Sequence, residues 1–120
     1  MAVWPVCGGG GSSPTIVFKV PFSFNDPSPK VLGAVLAGDW VVQTTVKIVV
    51  PFDAPGATVQ IGTTGFPGSI MPVSSIDPTL VGTYSKTDID IIAANTNLEA
   101  VITPLGSTQG SGFIYVEVAR

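Results

Sequence analysis

The stretch "WVVQTTVKIVVPF", residues 40–52, constrains this chain more than any other. In an extended segment successive side chains point to opposite faces. Trp40, Val42, Thr44, Val46, Ile48, Val50 and Phe52 therefore share one face, and Val41, Gln43, Thr45, Lys47 and Val49 the other. Its β-branched residues are stiff at χ1 and suit a pleated surface better than a helix. The alternation predicts a long strand whose core positions are Trp40, Val46, Ile48 and Val50.

The same period recurs along the chain. Ile16, Phe18, Val20, Phe22 and Phe24 fall on one face, with Pro21 opposite. Proline donates no ladder hydrogen bond, so this strand belongs at a sheet edge or is bulged there. "NDPSP" marks a turn, and "KVLGAVLAGD" is a short apolar segment closed by Gly-Asp. "TVQIG" places Val59 and Ile61 together, "TTGFPGS" reads as a loop, and in "IMPVSSIDPTL" Asp77 before Pro78 can cap one helical turn. "GTYSKTDIDII", "NLEAVITPL" and "GFIYVEVA" read as three further strands. Ile89 and Ile91 are expected to face inward, and Ile114, Val116 and Val118 to share a face. Seven or eight short strands between Gly, Pro, Asn and Asp clusters, with no amphipathic helix, predict an all-β antiparallel β-sandwich over residues 15–120, with jelly-roll or Greek-key connections.

Residues 1–14, "MAVWPVCGGGGSSP", break that pattern. Four consecutive glycines, Gly8 to Gly11, disfavour helix and strand alike, since glycine loses the most backbone freedom on ordering. The segment is expected to be an extended N-terminal arm whose apolar tip, Val3, Trp4, Pro5 and Val6, binds a partner. It has no basic start before its apolar residues, so it does not read as a secretory signal. Nor does any apolar run approach the ~20 residues of a membrane helix. Cys7 is the chain's one cysteine and cannot form an internal disulfide.

Charged residues make up 11% of the chain, against roughly 25% in ordinary soluble domains. A surface so poor in charge suits a chain that lives in an assembly, although its Thr, Ser, Gln and Asn also help to solvate it. The net charge is −3, and Lys19, Lys30, Lys47, Lys86 and Arg120 are scattered, which argues against a nucleic-acid partner. A homo-oligomer, dimer or trimer, is expected.

The chain has no histidine, which removes the usual general base and the commonest metal ligand. Asp88 and Asp90 lie two apart, on one face of a strand, where a calcium site or an acid/base pair would need them, but beside inward Ile89 and Ile91 they read as the solvated side of a strand. "GGGGSSP" lacks the Lys-Ser/Thr of a phosphate loop. Trp4, Trp40, Tyr84 and Tyr115 would form a sugar-stacking platform only where two stand exposed side by side. No catalytic, cofactor or metal site is expected, and an enzyme using Asp88 or Glu117 lacks a second converging carboxylate.

With its "PFD" turn and Gly-rich loop, "VVQTTVKIVVPFDAPGATVQIGTTGFPGSIM", followed by "GTYSKTDIDIIAANTNLEAVITPLG" and "GSGFIYVEV", resembles the small β-sandwich virion proteins of tailed bacteriophages. The resemblance covers roughly residues 30–120. It implies a capsid decoration or cement protein, assembled into the virion in the host cytoplasm, that clamps neighbouring major capsid subunits and carries no catalytic residues. The alternative it leaves is a tail or fibre component, an adaptor or glycan-binding tip, in which Tyr84, Tyr115 and "TTGFPGS" touch host glycan.

Overall fold

The structure, a computed structural model, describes residues 15–120. Among them nine strands run in chain order: β1 Thr15–Ser23, β2 Lys30–Val35, β3 Trp40–Val50, β4 Thr58–Thr63, β5 Phe66–Met71, β6 Gly82–Lys86, β7 Asp90–Ile91, β8 Thr96–Thr103 and β9 Ser111–Ala119. They form two antiparallel sheets. One has the order β1-β9-β3-β6, with β7 pairing β3 beyond the end of β6, and the other the order β2-β8-β4-β5. A single 3-10 turn, Val73–Ser75, precedes Asp77. The turn at Asp77 is closed by Leu80 N–H donating to its carbonyl (3.2 Å) and Thr79 N–H to its carboxylate (3.0 Å).

The topology is nested. With β6 and β7 taken as one broken strand, the first strand pairs with the last (β1 with β9), the second with the seventh (β2 with β8), the third with the sixth (β3 with β6) and the fourth with the fifth (β4 with β5). Rolling that long hairpin adds the pairs β9 with β3 and β8 with β4. This is the jelly roll, in which two Greek keys share two packed sheets. β1 lies at an edge, as Pro21 requires, and pairs β9 in unbroken register from Thr15↔Ala119 to Ser23↔Ser111.

Between the sheets lies one apolar core. Val46, Ile48, Ile114, Val116 and Val118 from one sheet and Val59, Ile61, Leu98 and Ala100 from the other are all fully buried. Gly112 lets β9 approach β3 at this level, because a Cβ there would fall 2.0 Å from the Lys47 carbonyl oxygen.

Two of the four expected β3 core positions are wrong. Val46 and Ile48 are buried, whereas Trp40 and Val50 are 47% and 37% exposed. The register explains both: Val42 is an extra residue between the pairs Val41↔Val118 and Gln43↔Glu117, and Val49 another between Ile48↔Gly112 and Val50↔Ser111. Each bulge reverses the alternation. Val41 therefore enters the core while Trp40 and Val50 leave it.

Two further expectations fail for related reasons. "GTYSKTDIDII" is not one strand; it breaks after Lys86 and resumes at Asp90, and the reset leaves Ile89 and Ile91 exposed while Ile92 is buried. "TTGFPGS" is not wholly a loop. Thr64 and Gly65, with Gly65 at φ 84°, turn a hairpin between the paired Thr63 and Phe66. β5 then begins despite Pro67, which an edge strand tolerates.

Candidate interaction surface

No group of three or more Cys, Asp or Glu side chains able to hold a metal occurs among the described residues. Asp90 is engaged by Lys86, whose Nζ donates to both carboxylate oxygens at 2.7 and 3.0 Å, and Asp88 is exposed. The aspartates of "TDID" thus do not act as a pair. Tyr84 and Tyr115 do not meet either: Tyr84 pairs in register with buried Val46, and Tyr115 stands on the opposite face between Lys19 and Thr45. The Tyr84 hydroxyl donates to the Asp77 carbonyl (2.9 Å), and burial first, then the Asp77 charge, raises its pKa. The Tyr115 hydroxyl donates to Glu117 Oε1 (3.1 Å), and that hydrogen bond is the main cause raising its pKa. Val3, Trp4, Pro5, Val6 and Cys7 lie outside the described residues.

The fold instead builds a groove of about 460 Å³ where the β4–β5 hairpin faces the segment joining β7 to β8. Its apolar lining is Phe66, Ile70, Ile91, Ile92, Ala93 and Ala94. Ile70 and Ile92 form the buried floor, while Phe66 and Ile91 stand 69% and 66% exposed at the rim. The rim is polar in places, through Thr63, Ser69 and Asn95. Asp90 is the sole charged residue of the lining, and Lys86 neutralises it.

Long-range hydrogen bonds hold this groove in shape. Ile92 is clamped to the turn after β2 by two backbone hydrogen bonds, Ile92 N–H to the Asp39 carbonyl (2.8 Å) and Gly38 N–H to the Ile92 carbonyl (2.7 Å). Asn95 Oδ1 accepts from Ala37 N–H (2.9 Å), and Thr64 N–H donates to the Asn97 carbonyl (3.1 Å). Beneath the turn, the buried Asp39 carboxylate accepts from Arg120 Nε (3.1 Å) and Nη2 (2.9 Å) and from Leu36 N–H (2.8 Å). The Arg120 guanidinium, with the Leu36 amide, holds the Asp39 carboxyl below the ordinary carboxylate range. Bidentate pairing of this kind fixes geometry as well as charge.

Exposed Trp40 continues the apolar rim, because it pairs in register with Ile91. Sequence reasoning missed this surface. Its rim residues belong to stretches read as inward strand positions or loop, and its frame comes from contacts distant in sequence.

No protein-family model matches the chain, and no curated protein matches it. Solved structures do share the fold. A chain in the acid-stable capsid of Helicobacter pylori bacteriophage KHP30 superposes with a TM-score of 0.72 at 17% identity, over 91% of this chain and 90% of its own length. A chain of the cyanophage Pam1 capsid asymmetric unit gives 0.59 at 15% identity, covering 98% and 93%, and one of the Ralstonia phage GP4 capsid 0.56 at 11%, covering 99% and 91%.

Proposed function

We propose that this chain is a structural component of a tailed-phage virion, a decoration or cement protein on the outer capsid surface that stabilises contacts between major capsid subunits. The observation that supports the reading most is the near-complete mutual coverage with chains in three phage capsid structures. Those chains are about the size of this one. A single small sandwich suits an accessory protein seated on a shell better than a subunit that must itself tile the shell.

The surface is consistent with that role. Exposed Trp40, Phe66 and Ile91 supply apolar anchors, and tryptophan is among the residue types enriched where interface energy concentrates. A protein that binds only the assembled shell stabilises it by mass action, without chemistry. In this reading Val3, Trp4, Pro5 and Val6 contact a neighbouring subunit, and the protein acts as a dimer or trimer.

The experiment is reconstitution. Particles assembled without the protein are incubated with the purified full chain, and heat-induced genome release is measured. The release temperature is expected to rise and to saturate with bound protein. Absence of binding to such particles, together with binding to isolated tails, would replace the capsid reading with the tail or fibre alternative.

A further inference from the structure

The two outer faces of the sandwich differ in chemistry. On the sheet β1-β9-β3-β6 the outward rows run Pro21–Phe113–Lys47 and Lys19–Tyr115–Thr45, and Trp40 beside Ile91 ends the same face. Val17, Trp40, Phe113 and Ile91 are all exposed there. On the other sheet the central strands β8 and β4 expose no large hydrophobic side chain, and Val31 and Phe66 stand only on its edge strands, β2 and β5. Its middle pairs are Thr58 with Thr103 and Gln60 with Val101.

Charge divides the same way. Among the described residues Lys30, Lys86 and Arg120 each pair with an aspartate, whereas Lys19 and Lys47 form no ion pair and both are exposed. They flank β9 from opposite sides, Lys19 beside Tyr115 and Lys47 beside Phe113. The one carboxylate at the outward positions of these strands, Glu117, accepts from the Tyr115 hydroxyl. A chain of net charge −3 thus gathers its two unpaired lysines on its more apolar face.

We infer that the outer face of the β1-β9-β3-β6 sheet is the footprint by which the chain seats on the phage shell, and that the shell surface it meets is apolar and carries carboxylates opposite Lys19 and Lys47. The inference rests on the capsid reading above and adds to it the face and the partner's chemistry. Size fits: four strands about 4.8 Å apart and about nine residues long present roughly 500–600 Å². Each partner gives ~800 Å² to a standard interface, and the groove rim at Ile91 extends the face toward that. Trp40 and Tyr115 are of the residue types enriched where interface energy concentrates, and the two lysines add steering and register. A polyanion is not the complement, because two lysines beside a glutamate on an acidic chain make no phosphate-binding track. Nor is a second copy, because a two-fold contact of this face with itself sets its lysines, which outnumber its one carboxylate, against each other.

The test uses the full chain and particles assembled without it. Amine-reactive labelling of the bound protein is expected to spare Lys19 and Lys47, both labelled in the free chain, while Lys30 at the edge of the other sheet is labelled in both states. Lys19→Gln with Lys47→Gln is expected to weaken binding about tenfold or more at low salt and to flatten its salt dependence. Phe113→Ser is expected to weaken it while keeping that dependence. Gln60→Glu with Thr103→Glu lowers the net charge equally on the opposite face and is expected to bind as the natural chain does. Binding with Lys19 and Lys47 still labelled, or binding that the lysine variant leaves unchanged, overturns the inference and leaves the capsid reading standing. Absence of binding by the natural chain overturns both. A dimer of the free chain in which the two lysines are already protected assigns the face to a second copy and also overturns the inference.

Discussion

Ile48 and Val50 lie two residues apart on β3, and simple alternation puts them on one face. The bulge at Val49 separates them, which makes Ile48→Ala and Val50→Ala a direct test of the register. Ile48 is fully buried, and its register partners on both sides are glycines, Gly82 and Gly112. The nearest side chains over those glycines are rings, Phe22 at Gly112 and Tyr84 at Gly82, which fill the space left behind only by swinging as a whole. Removing three carbons costs about 2.4 kcal/mol in transfer alone, at about 0.8 kcal/mol each. With the cavity added, the loss belongs in the upper half of the ~2–5 kcal/mol range for such truncations. Val50 loses two carbons from a site already 37% exposed. Its truncation is worth about 1 kcal/mol. In urea, with a slope of about 2 kcal/mol per molar, the midpoint falls by about 2 M for Ile48→Ala and about 0.5 M for Val50→Ala. Equal shifts for the two variants would refute the bulge and restore the unbroken alternation.

Other outcomes follow from single groups. Thr44 carries a buried hydroxyl with no hydrogen-bond partner among the described residues; Thr44→Val, which keeps the shape, is expected to raise the urea midpoint by an amount corresponding to about 1–3 kcal/mol, and a lowered midpoint would mean the hydroxyl is satisfied. Asp39 is held below the ordinary carboxylate range by Arg120 and the Leu36 amide. A carboxylate with a depressed folded pKa binds its proton more readily when unfolded, so its contribution is complete above the unfolded value of about 3.9 and is lost as pH falls through the folded value. The gap in urea midpoint between the natural chain and Asp39→Asn is therefore expected to be widest near neutrality and to narrow below about pH 4; a gap that does not change with pH would assign the loss to packing.

How much of this was legible in the sequence depends on the range of the cause. Local alternation is visible, so β1, β4, β8 and β9 can be read as strands directly, with the residues that share a face in β1, β4 and β9, and Pro21 narrows β1 to an edge or a bulge. A bulge inserts one residue without any local mark, which is why Trp40 and Val50 are misplaced by parity while Val46 and Ile48 between the bulges are not. The break between Lys86 and Asp90 is equally silent, because the residues around it keep a strand-like pattern. Pro67 and Gly68 argue against a strand by propensity, and edge position overrides them. The groove depends on pairs far apart in sequence, such as Asp39 with Arg120 and Ala37 with Asn95, and periodicity carries no information about those.

The central claim is that the chain sits on a phage capsid and not elsewhere in the virion. The most direct measurement is the location and stoichiometry of the chain on intact virions, from density maps and from its ratio to the major capsid protein. The account predicts a fixed ratio set by the capsid lattice, with a jelly-roll density on the outer shell at contacts between major capsid subunits. A few copies per virion, with density at the tail and none on the shell, would contradict it.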